Sequence, residues 1–291
     1  MTSIFEDLKS IKFNYKLGKK TWFGSGGNTT LYVEVNSESN LQKLLKLLPH
    51  FIPIFILGAG SNIIVRDGGF NGLTIKLNGS LKNINFDKEK RILTVGGATK
   101  DSIISKFCEQ NSISGFEFLR GIPGTLGGNI IMNAGCYGKT ISDNLISCNI
   151  VNRNGDILDL GKEEIDFSYR KTSIKNNSII TSAKFKVNLL NKKKISKKIK
   201  KISTDRVSSQ PINFRTGGST FKNPPNESAW KLIDKINYRG KSIGDASVSK
   251  KHANFLINNN LAKSLFDWDY ISAEKSVIDT AKQLSETQKL N

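Results

Sequence analysis

The sequence predicts a mixed α and β protein, and three observations predict it. Apolar residues alternate along several short stretches, among them Leu31, Val33, Val35 and Leu73, Ile75, Leu77, which is the period of a strand with one buried face. Elsewhere they recur at helical spacing, as at Leu41, Leu44, Leu45 and Leu48. Glycine clusters separate the two kinds of segment and supply the turns between them. At 291 residues the chain is long enough for two domains with buried cores.

The densest glycine cluster is Gly115 to Gly138, GFEFLRGIPGTLGGNIIMNAGCYG, in which seven of 24 residues are glycine, against about 7% in an average protein. This is no flexible linker, because Phe116, Phe118, Leu119, Ile122, Leu126, Ile130, Ile131 and Met132 give it apolar surface to bury. Two readings fit such a segment. Its backbone N–H groups can cradle the phosphates of a nucleotide cofactor, or it is a tightly packed turn between core strands.

Composition narrows the function classes. A hydrophobic content of 37% and a charged content of 24% suit a soluble globular protein. No stretch approaches the ~18 apolar residues that cross a bilayer. The opening MTSIFEDLKS carries acidic residues and no apolar core region, so it does not read as a secretory signal and a cytoplasmic location is expected. Cys108, Cys136 and Cys148 are scattered with no CxxC pair, which speaks against a disulfide framework or a zinc site. The net charge of +19 would suit partners that are anionic. Seven of the lysines crowd into NKKKISKKIKK (191–201), where a solvated helix or linker is the commoner explanation, and no nucleic-acid recognition motif accompanies the charge.

In chain order, Phe5, Leu8, Ile11 and Phe13 predict a short lead-in helix within residues 1–20. A glycine-rich entry, Thr21 to Gly27, precedes the first strand. Ser37 or Ser39 is placed to cap the leucine-spaced helix. The strand Ile52 to Leu57 runs into Gly58-Ala59-Gly60-Ser61-Asn62, which begins like the dinucleotide fingerprint GxGxxG. It then fails, because position 63 is Ile and Ile63-Ile64-Val65 predicts a strand, not a helix. Further strands are expected at Ile92 to Val95, Ile146 to Val151, Ile157 to Leu160 and Ser182 to Val187. A helix carries Ile103, Ile104, Phe107 and Cys108. In the last hundred residues Thr216 to Pro224 places Ser219, Thr220, Lys222 and Asn223 beside two glycines, a combination that suits a site. Helix 228–236, a turn into a strand over 248–258, and an amphipathic helix through Ile271, Val277, Ile278, Ala281 and Leu284 complete the chain.

Five segments together, GAGSNIIVRDGGF (58–70), the glycine cluster 115–138, SYRKT (168–172), GGSTFKNP (217–224) and KHANFLIN (251–258), resemble the UDP-N-acetylenolpyruvoylglucosamine reductase family over Trp22 to Asn258. The resemblance implies an α+β FAD-binding fold of the vanillyl-alcohol-oxidase class. Two FAD-binding subdomains (1–82 and 83–189) would be followed by a substrate-binding domain (190–291). FAD and NADPH would be the cofactors, a UDP-sugar the substrate, and the protein a monomer with no nucleic-acid or membrane partner. Gly58, Gly60, Ser61 and Asn62 would contact the flavin's phosphates, with Gly121, Ile122, Pro123, Gly124, Asn133, Ala134 and Gly135 along the ring system and diphosphate. Arg170 would be the catalytic cation and Ser219 the proton donor. Tyr169, Arg206, Lys222 and Asn223 would bind substrate.

The pattern departs from the family in two places. Lys250 stands where an acid is usual, and the stretch 264–291 offers no residue for the family's late glutamate. The family's longer insertion is absent, which points to the shorter branch. That leaves a catalytically impaired homologue, or a flavin oxidoreductase acting on another substrate, as the alternatives. Cys136 would be a covalent flavin tether in the latter.

Overall fold

The computed structural model describes residues 11–259. The lead-in expected over residues 1–20 falls partly outside this range, and the amphipathic helix expected near the end lies wholly outside it. Two compact units, each assembled from separated segments, make up the chain. One is Met1–Asn14, Thr30–Ala59 and Asn71–Asp205; the other is Tyr15–Thr29, Gly60–Phe70 and Arg206–Asn291.

The first unit contains two sheets. Strands β1 (Lys12–Tyr15), β2 (Thr29–Val35), β3 (Ile54–Ile56) and β4 (Phe70–Leu77) form one, in the order β1-β2-β4-β3, with β3 and β4 parallel and Phe55 opposite Thr74. Residues 12–15 are thus strand where a helix was expected. Phe13 is 77% exposed, so apolar spacing there reflected no buried helical face. Helix α1 (Glu38–Leu47) covers this sheet. Ser37 caps it, the Oγ accepting the Asn40 N–H at 3.2 Å. Leu41 and Leu45 are buried against Val33, Val35, Leu73, Ile75 and Leu77.

The second sheet is antiparallel throughout. Its strands are β5 (Ile84–Asp87), β6 (Ile92–Gly96), β7 (Leu145–Val151), β8 (Ile157–Gly161) and, after the short hairpin β9 (Phe167–Ser168) and β10 (Lys171–Thr172), β11 (Ile179–Lys186). The order is β8-β7-β11-β6-β5. Against it pack helix α2 (Asp101–Gln110) and the glycine cluster, which folds as a 3-10 turn (Glu117–Gly121) and the six-residue helix α3 (Leu126–Ile131). The shared core holds Val95, Ile104, Cys108, Phe118, Leu119, Leu126, Ile130, Cys148 and Ala183. Phe116 meets Phe185 edge-on at 5.3 Å. Burial pushes the Cys108 thiol far up and the Cys148 thiol up to about 12, so both remain protonated packing groups.

The lysine-rich run is helix α4 (Lys192–Ser209). Ile195 and Ile202, seven residues apart, are buried on one side. Lys198 pairs with the Glu117 carboxylate at 3.4 Å, and Ser196 donates to Glu109 at 2.6 Å. The remaining lysines solvate the outer face, so the helix is held by two isoleucines and a few polar contacts.

Arg153 is 9% exposed and ends helix α1 from across the unit. Its guanidinium donates to the carbonyls of Leu45, Leu48, Pro49 and Ile52, the shortest being 2.7 Å to Pro49. These are carbonyls at and beyond the last helical turn, which the helix itself cannot satisfy. Arg153→Ala is expected to cost about 2–3 kcal/mol by urea denaturation, because it strands partly buried acceptors as well as removing charged hydrogen bonds. A loss below about 0.5 kcal/mol would refute that role.

The second unit has a four-stranded antiparallel sheet of β12 (Arg215–Ser219), β13 (Ser242–Ile243), β14 (Ala246–Val248) and β15 (Phe255–Asn258), in the order β12-β15-β14-β13. Helix α5 (Ala229–Lys235) packs on it through Ile233. Phe23, fully buried, joins Ile233, Val248, Ala253 and Leu256, and its carbonyl accepts the Asn258 side-chain N–H at 2.8 Å. The run Ile63–Val65, expected as a strand, forms no ladder. Val65 is buried by a backbone contact instead: its carbonyl lies where a Cβ on Gly26 would sit.

Candidate active site

Each unit assembles its own group of the residues singled out by sequence. In the first, the glycine segment is fastened to the end of β6. The N–H groups of Asp101, Leu126 and Gly127 pair with the carbonyls of Gly124, Thr99 and Gly97 at 3.2, 3.0 and 2.8 Å. This brings Gly124 against the side chains of Asp101 and Asn129. A Cβ on Gly124 would lie 2.6 Å from Asp101 Oδ2 and 2.8 Å from Asn129 Oδ1, and one on Gly58 would lie 2.8 Å from Thr125 Oγ1. The Gly58 loop and the Gly121–Gly124 loop therefore meet. Lys76 of β4 donates to the Gly58 carbonyl, and its ammonium is held below the usual lysine range by burial and then by the nearby Lys82 and Lys100 charges.

Gly128 differs from these glycines. Its φ is not positive, it is exposed, and a Cβ there would meet nothing closer than Thr125 Oγ1 at 3.7 Å. Neither backbone nor packing calls for glycine at this helical position, where it costs about 1 kcal/mol relative to alanine. Close approach of a ligand is the remaining physical reason. In the sequence nothing distinguishes Gly128 from the other glycines of the cluster.

The chain after α3 bends through Asn133, whose φ of 39° is unusual for a residue with a side chain. Asn133 donates its amide N–H to the Ser168 carbonyl at 3.3 Å, while its Oδ1 is buried without a hydrogen-bond partner. Thr172 Oγ1 donates to the Ile131 carbonyl at 3.3 Å. The β9–β10 hairpin is thereby docked beside Asn133, Ala134 and Gly135. At its tip sit Tyr169, which is exposed, and Arg170 with φ of 55°, the guanidinium 5.8 Å from the Tyr169 ring centroid. Cys136, half-buried, points its Sγ at the Phe118 carbonyl at 3.3 Å.

In the second unit the GGS segment is a β-bulge. Thr216 pairs with Ile257 and Ser219 with Phe255, so Gly217 and Gly218 together oppose Leu256 alone. Gly218 has φ of 81°, a conformation that glycine adopts without cost. The bulge re-aims Ser219 and leaves Gly218 next to the Ser61–Asn62 turn; a Cβ on it would lie 3.6 Å from the Ser61 carbonyl and 3.9 Å from Asn62 Oδ1. That turn is set by Gly60, buried, whose carbonyl accepts the Trp22 N–H at 2.8 Å.

Asn254, 4% exposed, fixes the strand that leaves the bulge. Its Oδ1 accepts the Phe221 N–H and its Nδ2 donates to the Phe221 carbonyl, both at 2.9 Å. It lies within KHANFLIN (251–258), a segment whose sequence does not show this bracing. Lys222 and Asn223 follow, both exposed, with Asn223 Oδ1 accepting the Ala229 N–H at the start of α5 at 3.0 Å. Arg206 is half-buried in the last turn of α4. His252 is structural: its Nδ1 accepts the Asn254 N–H at 3.3 Å and its ring lies 4.8 Å from that of Phe255. Burial, then the Arg239 charge, holds its pKa below the ordinary histidine value.

Among the described residues no helix is long and apolar enough to cross a membrane, and no cluster of His, Cys, Asp and Glu is placed to hold a metal ion. The apposed glycine loops, the open face at Gly128 and the unpartnered Asn133 oxygen do fit a nucleotide cofactor approached by backbone.

Comparison with known proteins defines the class. A family model described as an FAD binding domain matches residues 29–161, and the fold is the α+β FAD-binding one that the motifs implied. A second model, the C-terminal domain of UDP-N-acetylenolpyruvoylglucosamine reductase, matches residues 210–268. The reductase of that name from Rickettsia bellii (strain RML369-C) is 42% identical over 274 residues, covering 94% of this chain and 90% of the relative. That from Rickettsia canadensis (strain McKiel) is 44% identical over 259 residues, with 88% and 87% covered. The crystal structure of the Thermus caldophilus enzyme superposes with a TM-score of 0.80 at 28% identity over 93% of each chain. The chain belongs to the UDP-N-acetylenolpyruvoylglucosamine reductase family, whose members are FAD-containing oxidoreductases.

Proposed function

We propose that this protein reduces UDP-N-acetylglucosamine enolpyruvate to UDP-N-acetylmuramate, drawing electrons from NADPH. The observation that carries the proposal is the glycine bulge that leads into Ser219 and sets Gly218 beside the Ser61–Asn62 turn. In this reading residues 1–82 and 83–189 hold the flavin and 190–291 the sugar nucleotide. The protein works as a cytoplasmic monomer with no nucleic-acid or membrane partner.

Held by these loops, FAD would supply the two-electron redox chemistry that links NADPH to the enolpyruvyl group. The chain's residues handle the charge and the proton. Hydride addition pushes negative charge onto the substrate carboxylate as an enolate, and Arg170 stabilises that charge more in the transition state than in the ground state. Its planar, permanently charged guanidinium matches a carboxylate better than an ammonium does. Ser219 gives its hydroxyl proton to the α-carbon, a transfer that a neutral hydroxyl performs only with a developing carbanion beside it. Lys222, Asn223, Tyr169 and Arg206 hold the anionic substrate. Gly58, Gly60, Ser61, Asn62, Gly121, Ile122, Pro123, Gly124, Asn133, Ala134 and Gly135 hold the flavin, and Gly128 joins them.

The direct test is anaerobic NADPH oxidation by the FAD-loaded protein, with and without the enolpyruvyl substrate. Substrate-dependent oxidation with formation of UDP-N-acetylmuramate is expected; flavin reduced by NADPH but never reoxidised by substrate would overturn the proposal. A second expectation separates site from scaffold. Gly128→Ala should stabilise the FAD-free protein by about 0.5–1 kcal/mol, since alanine is the better helix residue, yet weaken FAD binding about tenfold because a methyl group occupies the approach. Thermal denaturation and a flavin fluorescence titration read the two effects; unchanged FAD affinity would remove Gly128 from the site.

A further inference from the structure

We infer that Asp101 is a positioning residue for the flavin loop, holding Gly124 and Asn129 in the geometry that binds FAD only while its own carboxyl is neutral. The inference rests on the FAD reading above and concerns a residue to which that reading gives no part.

Asp101 is the first residue of helix α2 and is 1% exposed. It grips the loop twice. Its backbone N–H donates to the Gly124 carbonyl at 3.2 Å, and its Oδ1 accepts the Asn129 amide N–H. The other oxygen, Oδ2, is buried with no hydrogen-bond partner and faces Gly124 at a distance that no side chain on that residue would tolerate. A carboxylate with one lone oxygen in such a place is costly when ionised. Burial accordingly pushes its pKa up to about 7, against a partial opposing pull from the Asn129 side chain and the Gly124 backbone.

The groups facing Asp101 are few. Asn129 approaches from α3 and Gly124 from the loop, and no charged side chain contributes to its shift. Lys100, its chain neighbour, acts on Lys76 of β4. Deprotonation therefore leaves a buried anion with no cationic partner against the loop that must receive an anionic diphosphate. FAD affinity should be full below neutrality and fall as pH rises through it.

The test uses the full-length protein freed of FAD, titrated with FAD by flavin fluorescence from pH 6 to pH 8.5. Wild type is expected to bind about thirtyfold more weakly at pH 8.5 than at pH 6, as the neutral fraction of a group titrating near 7 dictates. Asp101→Asn, neutral at every pH and able to keep the Asn129 contact through its carbonyl, is expected to bind with no pH slope. Asp101→Ala, lacking the contact, is expected to bind at least tenfold more weakly than wild type at pH 6. A purely structural aspartate would give no pH slope that the carboxamide removes. An Asp101→Asn protein with the wild-type slope, or a wild type without one, would overturn the inference, and if Asp101→Ala fails to fold the Asn variant alone decides. Absence of FAD binding by wild type at any pH would refute the FAD reading itself and this inference with it.

Discussion

Ser219→Ala is expected to leave reduction of the bound flavin by NADPH at its wild-type rate while slowing substrate-dependent reoxidation by about 10³-fold, within the range that positioned proton donors contribute. The substitution removes one oxygen from a residue whose backbone is fixed by other means. Ser219 is in register with Phe255 on β15, the bulge before it is set by Gly217 and Gly218, and Asn254 pins Phe221 after it. Stability should therefore stay within about 0.5 kcal/mol of wild type. Single-turnover stopped-flow separates the two half-reactions, because each changes the flavin absorbance in the opposite direction. Wild-type reoxidation in the variant would sink the proton-donor role, whereas loss of both half-reactions would show that the serine supports the flavin site as a whole.

What the sequence disclosed follows the range of the interactions involved. Helix α1 was legible because its leucine spacing and the Ser37 cap are local signals, and the same holds for the alternating β2 and β4. The strand expected at Ile63–Val65 failed because Val65 turns its backbone carbonyl to Gly26, far away in sequence, and not to a ladder, while Ile64 stays exposed. Residues 12–15 failed as helix for a related reason: their pairing partner is β2, and spacing alone cannot report pairing. In the site, the glycine turns and Ser219 announced themselves through motifs. The docking of the β9–β10 hairpin on Ile131 and Asn133 did not, since it depends on hydrogen bonds spanning 35 to 41 residues. Asp101 resembled any acidic residue at a helix start until its burial was visible, and Asn254 stood inside a recognised motif without a visible job.

Arg170 combines a chemical role with a backbone penalty, and the two can be pulled apart. Its φ of 55° at the hairpin tip costs a residue with a Cβ roughly 1 kcal/mol relative to glycine. The hairpin tolerates this because Ser168 and Thr172 on either side are tied to Asn133 and Ile131. Arg170→Gly should therefore hold or raise stability by up to about 1 kcal/mol, partly offset by loss of the stacking on Tyr169 and by the greater freedom of glycine in the unfolded chain. The same change should lower substrate-dependent kcat by about 10³-fold, the scale seen when a preorganised charge facing a developing anion is removed. Arg170→Lys keeps the charge without the planar fork and should fall between, losing about 10²-fold. Strain retained where a relaxed residue would fold as well or better is what a site held by function predicts. Urea denaturation together with steady-state kinetics decides the matter: a glycine variant that is markedly less stable and still active would mean that Arg170 serves the hairpin and not the substrate.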